Sequence, residues 1–345
     1  MNIIKPRFEI IEQEYNDVIP DMMHHIELCG RTCYKSNDKI TEDSYKKFVG
    51  NLEKSHHGAM LEHGTIYLTI PVGDPLTDDK YMTKKDIINF FKSNPYSKVN
   101  HNKVYEKIDD VMVSLNYYYI TTNYRVIYES KDKDIYIIQT IYNNYHIDLD
   151  NLDASIKKYI TPPTEHHEKR YTVKFTCDIG VSREYNRHRK DSIAEESTRY
   201  CNYLKDKFSE DGDYAFGDLN GLNICKPEWI TDIDKVYSES LSGYCKAIYS
   251  QKDDKFSDID YWLFANLAAE YSYMNLIRLG WKPQQARTVL LLDTKTELIH
   301  TAFESDWKHF FDLRAIGTTG APHPSAKELA EPLMKEFMNR GYIKL

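Results

Sequence analysis

Arg187-His188-Arg189-Lys190-Asp191-Ser192-Ile193-Ala194-Glu195-Glu196-Ser197-Thr198-Arg199-Tyr200 is dense in hydrogen-bonding groups and poor in side chains that could build a core. Four of the twelve arginines, at 183, 187, 189 and 199, fall in or beside it, whereas lysine is the usual cation elsewhere. Arginine presents a planar fork of donors that fits phosphate or carboxylate, which an ammonium does not. His188 sits between two guanidiniums, which should depress its pKa. If Glu195 to Arg199 runs extended, Glu195, Ser197 and Arg199 point one way and offer an acceptor, a hydroxyl and a donor fork together. Such a segment is either a cradle for a phosphorylated ligand or a structural salt-bridge cluster.

Working outward, Tyr171 to Cys177 alternates as a strand, and Gly180 leads into a short helix running up to the arginines. Tyr45, Phe48, Val49 and Leu52 mark one face of a helix, and Thr65 to Ile70 reads as a strand ended by Pro71 and Gly73. From 73 to 164 the texture changes to Lys, Asn, Asp, Tyr and Ile, with possible strands at Tyr118–Tyr128 and Asp134–Tyr142 but no chemical motif. The reading is one domain, 1–345, with a core of 1–72 and 165–345 and an insertion at 73–164. Residues 200–230 read as loop. Helices follow near 232–250 and 258–279, the second closing at Gly280. Ser325 to Glu328 matches a capping box ahead of Leu329, Leu333, Phe337 and Met338, although Pro332 opposes a helix there.

The 345 residues are 41% hydrophobic and 13% aromatic, enough for a packed core, which excludes a disordered or fibrous chain. A formal charge of −8 argues against a protein that coats nucleic acid. There is no apolar run of bilayer length and no signal-like amino terminus, so the expectation is a soluble, unsecreted, cytoplasmic protein. Six cysteines without a C-x-x-C pair read as reduced thiols. Cys29 and Cys33 have helical spacing but no accompanying ligands, and His24-His25 and His166-His167 read as surface pairs, so no metal is expected.

The run Arg-His-Arg-x-x-Ser-x-x-Glu-x-Ser-x-Arg-Tyr, as it stands at 187–200, resembles the signature of flavin-dependent thymidylate synthases. Further segments agree in order: Thr32-Cys33-Tyr34 with Ser36, His57-Gly58-Ala59-Met60-Leu61-Glu62-His63, Pro283-Gln284-Gln285-Ala286-Arg287, and Trp307 through Arg314. The resemblance covers about 27–70, 165–206 and 258–345. It implies an α/β (α+β) fold with a central antiparallel sheet flanked by helices, and a homotetramer whose active sites are shared between subunits. It implies noncovalently bound FAD and methylation of dUMP to dTMP, with methylenetetrahydrofolate as carbon donor and NADPH as reductant. FAD would be met by His57, Ala59, Arg187, His188, Arg189, Glu195, Phe303, Glu304, Ser305 and His309. The nucleotide would be held by Glu184, Tyr185, Asn186, Arg187, Glu195, Glu196, Ser197, Thr198, Arg199, Arg287 and Arg314, with Arg314 stabilising negative charge on the uracil.

Two positions depart from the family pattern. Ala194 stands where many members have asparagine. Glu184 stands where a glutamine often lies, and its carboxylate would repel a phosphate unless paired with Arg183, Arg187 or a water. Two other readings stay in view: a flavoenzyme that alkylates a pyrimidine nucleotide differently, and a nucleic-acid-binding strip using Arg183–Arg199 with Tyr185 and Tyr200 interleaved. A simple strip does not need Arg287 and Arg314.

Overall fold

The computed structural model describes residues 1–73, 80–108, 111–133, 135–146, 159–205, 214–215, 221–233, 241–249 and 256–344. Strands β1 (Asn2–Ile4) and β2 (Arg7–Ile11) precede helices α1 (Val18–Thr32), α2 (Ser44–Lys54) and α3 (Gly58–Leu61), then β3 (Thr65–Val72). Next come α4 (Tyr81–Ser93), the hairpin β4 (Lys98–Ile108) and β5 (Val111–Asn123), α5 (Tyr124–Glu129) and α6 (Tyr136–His146). The site region holds β6 (Arg170–Asp178), α7 (Ile179–Tyr185) and β7 (Ser192–Glu195), followed by β8 (Tyr214–Ala215) and β9 (Asn223–Cys225). Helices α8 (Leu241–Tyr249), α9 (Asp258–Arg278) and α10 (Pro283–Ala286), strand β10 (Lys295–Phe303), and helices α11 (Glu304–Phe311) and α12 (Pro324–Asn339) complete the described chain.

The central sheet is antiparallel throughout, in the order β2-β6-β10-β7, and helices cover both faces. That is the expected α/β (α+β) architecture. Every residue of β10 is buried. One of its faces, with Leu298 and Ala302, packs on Phe175, Val173 and the aromatic side chains of α11 and α12. On the other face Ile299 meets Ala194, Cys29 and Cys33. A second antiparallel sheet, β3-β5-β4, shares an apolar cluster with α1, α2, α4, α5 and α6. Among the described residues no helix is long and apolar enough to cross a membrane, no group of metal-binding side chains forms, and all six cysteines are free thiols.

The helices of 44–54 and 258–278 and the strand of 170–178 lie where their periodicities put them. Of the helix expected near 232–250, 234–240 and 250 lie outside the described residues, and 241–249 is helical. Pro71 does not end β3 but sits within it, opposite Tyr117. Thr69 N donates to Tyr159 O on the edge away from β5, so by strand alternation the missing N–H of Pro71 also faces that edge and costs the β3-β5 ladder nothing.

Two local readings are corrected. The strand over Tyr118–Tyr128 stops at Asn123, whose side chain accepts from Val126 N and starts α5. The stretch taken for a second strand at Asp134–Tyr142 is largely helical: Asp134 lies outside the described residues, and Ile137, Ile138 and Ile141 bury one helical stripe. No capping box forms at Ser325 either, because Pro324 begins α12 and Ser325 is already inside it, buried. His25 and His167 are buried rather than surface residues. His25 Nε2 lies 3.0 Å from Thr172 Oγ1, and His167 Nε2 is 3.1 Å from Leu68 O.

Candidate active site

Helix α7 begins at Asp178, whose side chain accepts from Val181 N, and ends at the arginine segment, which returns along β10 as the short edge strand β7. The chain then turns. Tyr200 N and Cys201 N both donate to Ser197 O, so Glu195, Ser197 and Arg199 do not share one extended face as the alternation suggested. The turn is tied at its start by Glu196 N to Glu297 O (2.8 Å) and Ser197 N to Cys33 O (3.0 Å).

Two cavities flank this segment. One, of about 550 Å³, is lined by Arg183, Glu195, Glu196, Ser197, Thr198, Arg199 and Arg287, with Leu290 to Leu292 as an apolar wall. Both acids there are already engaged. Glu195 accepts from Ser182 Oγ (2.7 Å) and Asn186 Nδ2 (3.0 Å), and buried Glu196 accepts from Lys295 Nζ at 3.1 Å. Arg287 donates to Thr198 Oγ1 at 3.0 Å, which brings a residue 89 positions away to the turn. Among the described residues Arg183 and Arg199 form no ion pair with a carboxylate. Glu195 is held only by neutral donors, so counting it as a carboxylate against the three guanidiniums leaves a surplus of two positive charges, and the cavity suits a phosphate monoester.

The second cavity, of about 530 Å³, is lined by Arg187, His188, Arg189, Lys190, Asp191, Asp306, His309, Leu313 and Arg314. Its acid Asp191 is taken by buried His300, at 2.6 Å. Arg314 lies in a π-helical turn over Asp312–Ile316, directly after α11. It donates to Glu184 through Nη1 to the carboxylate (2.6 Å) and Nη2 to the carbonyl (2.7 Å), and through Nε to His188 Nε2 (3.3 Å). Glu184 is therefore paired, as its position required, but with a residue 130 positions away rather than with Arg183 or Arg187. Burial, then the neighbours His300, Arg314 and His309, lowers His188 to about 4. The expected direction holds, while the cause is burial and this cluster rather than the adjacent guanidiniums. A neutral imidazole can accept the Arg314 Nε–H, which assigns the proton to Nδ1.

Other site residues lie elsewhere. The Tyr185 ring is fully buried against Phe175 and Phe310 and donates its hydroxyl to Ala326 O at 2.7 Å, so it lines neither cavity. This also removes an aromatic plate that a nucleic-acid strip would need. His57 and Ala59 are exposed at the start of α3 and line neither cavity. Phe303 is buried beneath Arg170 and Lys98, Glu304 pairs with Lys308, and Ser305 N donates to Glu168. Only His309 of the carboxyl-terminal set faces the second cavity. Ser197 Oγ accepts from Arg199 N at 3.4 Å, a turn contact rather than a nucleophile–base pair.

Ala194 is 1% exposed among Cys29, Cys33 and Ile299. An asparagine there would bury an amide in an apolar pocket that alanine fills. Ala194→Asn should cost about 1–3 kcal/mol, read as a lower urea midpoint with unchanged slope. An unchanged midpoint would mean that the pocket supplies a polar partner.

Sequence reasoning missed Arg183 as a cavity residue, although its place in the arginine cluster signalled it. It also missed Lys35, Lys174, Lys295 and Glu297. Charged residues in an otherwise apolar stretch disguised β10, and only its central place in the sheet buries them.

The thymidylate synthase complementing protein family model matches residues 116–340, starting within the segment read as an insertion. A comparison with curated protein sequences finds no significant match. Among solved structures, a UMP/dUMP methylase PolB from Streptomyces cacaoi bound with 5-Br UMP is 19% identical, covering 49% of this chain and 68% of that one, with a TM-score of 0.32. The same methylase bound with 5-Br dUMP is 14% identical, covering 98% and 93%, with a TM-score of 0.36. Similarity at that level carries no argument here. The family match spans more than half of the chain, including both arginine-lined cavities, and the chain belongs to the thymidylate synthase complementing protein family.

Proposed function

We propose that this protein is a flavin-dependent thymidylate synthase that methylates dUMP to dTMP, with methylenetetrahydrofolate as carbon donor and NADPH as reductant. The observation that carries this reading is the convergence of Arg183, Arg199 and Arg287 on one cavity, in which Lys295 pairs with Glu196 and neutral donors hold Glu195. Three guanidiniums match a nucleotide phosphate, and the apolar Leu290–Leu292 wall suits a sugar and base.

The donors of the second cavity fit FAD. Arg187, Arg189 and Lys190 outnumber the acids left unpaired there, as a dinucleotide's phosphates require. FAD, when bound, would supply the hydride chemistry. The active form of this reading is a homotetramer whose sites are shared between subunits. Glu184 and neutral His188 hold the Arg314 fork at the second cavity, where it would face the pyrimidine and stabilise charge as the ring is activated.

Arg199→Ala should raise the Kd for dUMP roughly 10–100-fold, the worth of a charge-assisted phosphate contact, while bound flavin absorbance is retained. Calorimetric titration with dUMP measures the first and the visible spectrum the second. An unchanged dUMP Kd would remove the phosphate site from this cavity. A protein that takes up no added FAD would remove the flavin reading.

A further inference from the structure

Beneath the turn 196–201 lies a buried ionic cluster that neither cavity absorbs. Lys295 Nζ, on a residue 3% exposed, is 3.1 Å from Glu196 Oε2 and 3.2 Å from Glu297 Oε1. Glu297 also pairs with Lys35, in the turn after α1, and with Lys174 of β6 at 3.4 Å. Burial alone would raise Glu297, but Lys295, Lys35 and Lys174 hold it down to about 2. Glu196 has no comparable surplus: Lys295 is its close cation, and Lys35 stands 4.0 Å away while engaged with Glu297.

The geometry places Lys295 where one ammonium joins a fixed point to a site. Glu297 is anchored in the central strand by three cations, while Glu196 is the first residue of the turn that carries Ser197, Thr198 and Arg199. Beyond Glu196 the turn is held by the Ser197 N–H to Cys33 O bond, by Arg287 on Thr198 Oγ1, by Tyr273 on Cys201 O and by its own internal bonds, none of which engages the Glu196 carboxylate. We propose that Lys295 is a positioning residue for the nucleotide: by bridging Glu196 to Glu297 it holds the turn in the shape that presents Ser197, Thr198 and Arg199 to the phosphate. This rests on the nucleotide reading of the first cavity.

Removing one partner leaves a buried carboxylate uncompensated, which destabilises a protein whether or not the pair positions anything. The test therefore separates stability from shape. Lys295→Met keeps length and removes charge. The double variant Glu196→Gln with Lys295→Met removes both charges, so no unpaired ion stays buried, but the tie is still cut. Amide hydrogen exchange at Ser197 and Cys201 is measured against α12, alongside thermal midpoints and dUMP titrations of the full-length protein.

The proposal expects both variants to exchange at the turn about tenfold or more faster, with α12 unchanged in the double variant, and to bind dUMP about tenfold or more weakly. The double variant should recover the thermal midpoint without recovering either. If it recovers turn protection and dUMP affinity together with the midpoint, Lys295 serves stability alone and the proposal falls. Should Lys295→Met fail to fold, the double variant carries the same comparison against wild type. Fast turn exchange in the double variant of a protein whose wild type binds no dUMP would keep the tie and remove the nucleotide reading.

Discussion

Replacing Arg314 with alanine should lower kcat by about a hundredfold or more, the usual scale for losing one preorganised donor at developing charge, with a smaller change in flavin affinity. The residue is half-buried in a π-helical turn, and all three nitrogens of its guanidinium are used by Glu184 and His188. A side chain held so firmly loses little freedom when it acts, which is what makes a preorganised cation effective. Alanine also leaves the Glu184 carboxylate without its partner, beside ligands that carry negative charge. The double variant Glu184→Gln with Arg314→Ala should therefore recover part of the dUMP affinity but none of the turnover. Single-turnover kinetics separates the two. If Arg314→Ala alone keeps turnover within about threefold of wild type, an electrostatic role of the expected size is excluded.

Trp307→Ala should cost about 3–5 kcal/mol, a large share of a typical domain stability of about 5–15 kcal/mol. Trp307 is fully buried, stacks on Phe311 at 5.7 Å between centroids, and contacts Phe310, Phe337 and His300 at 5.2, 5.1 and 4.8 Å. Its indole N–H donates to Tyr171 O at 3.1 Å, so truncation leaves a cavity and takes one bond from a carbonyl of the central sheet. Trp307→Phe should cost less, because the ring contacts largely survive. Denaturant unfolding of both variants checks this, and a loss under about 1 kcal/mol for alanine would show that the stack is not a keystone of this core. Helix α11 also carries Asp306 and His309 into the second cavity and leads directly to Arg314. Loosened packing should therefore weaken flavin retention before the protein unfolds globally.

The 73–164 segment shows how composition misleads where periodicity is short. It carries no chemical motif, yet β5 pairs with β3 along its length and Ile120, Tyr124, Ile127 and Ile138 sit in one cluster with Met22, Val49 and Leu68. Isoleucine and tyrosine favour strands, but the stripe of Ile137, Ile138 and Ile141 has helical spacing, and burial of that stripe decided the outcome.

What the sequence determined by itself was local or carried by residue type. The helices of 44–54 and 258–278 and the strand of 170–178 follow from periodicity that each segment contains. The arginine concentration at 183–199 suits an anionic ligand because guanidinium chemistry does not depend on where the chain goes. Tertiary structure alone decided the pairings: Glu184 with Arg314, Thr198 with Arg287, and Lys35 with Glu297. It also decided that Lys295 and Glu297 are buried, that Tyr185 is core rather than site, and that Ala194 fills an apolar pocket. The reason is the same in each case. A side chain's charge and shape are local, but its burial and its partner depend on strands and helices brought together from parts of the chain 89 to 262 residues apart in these pairs.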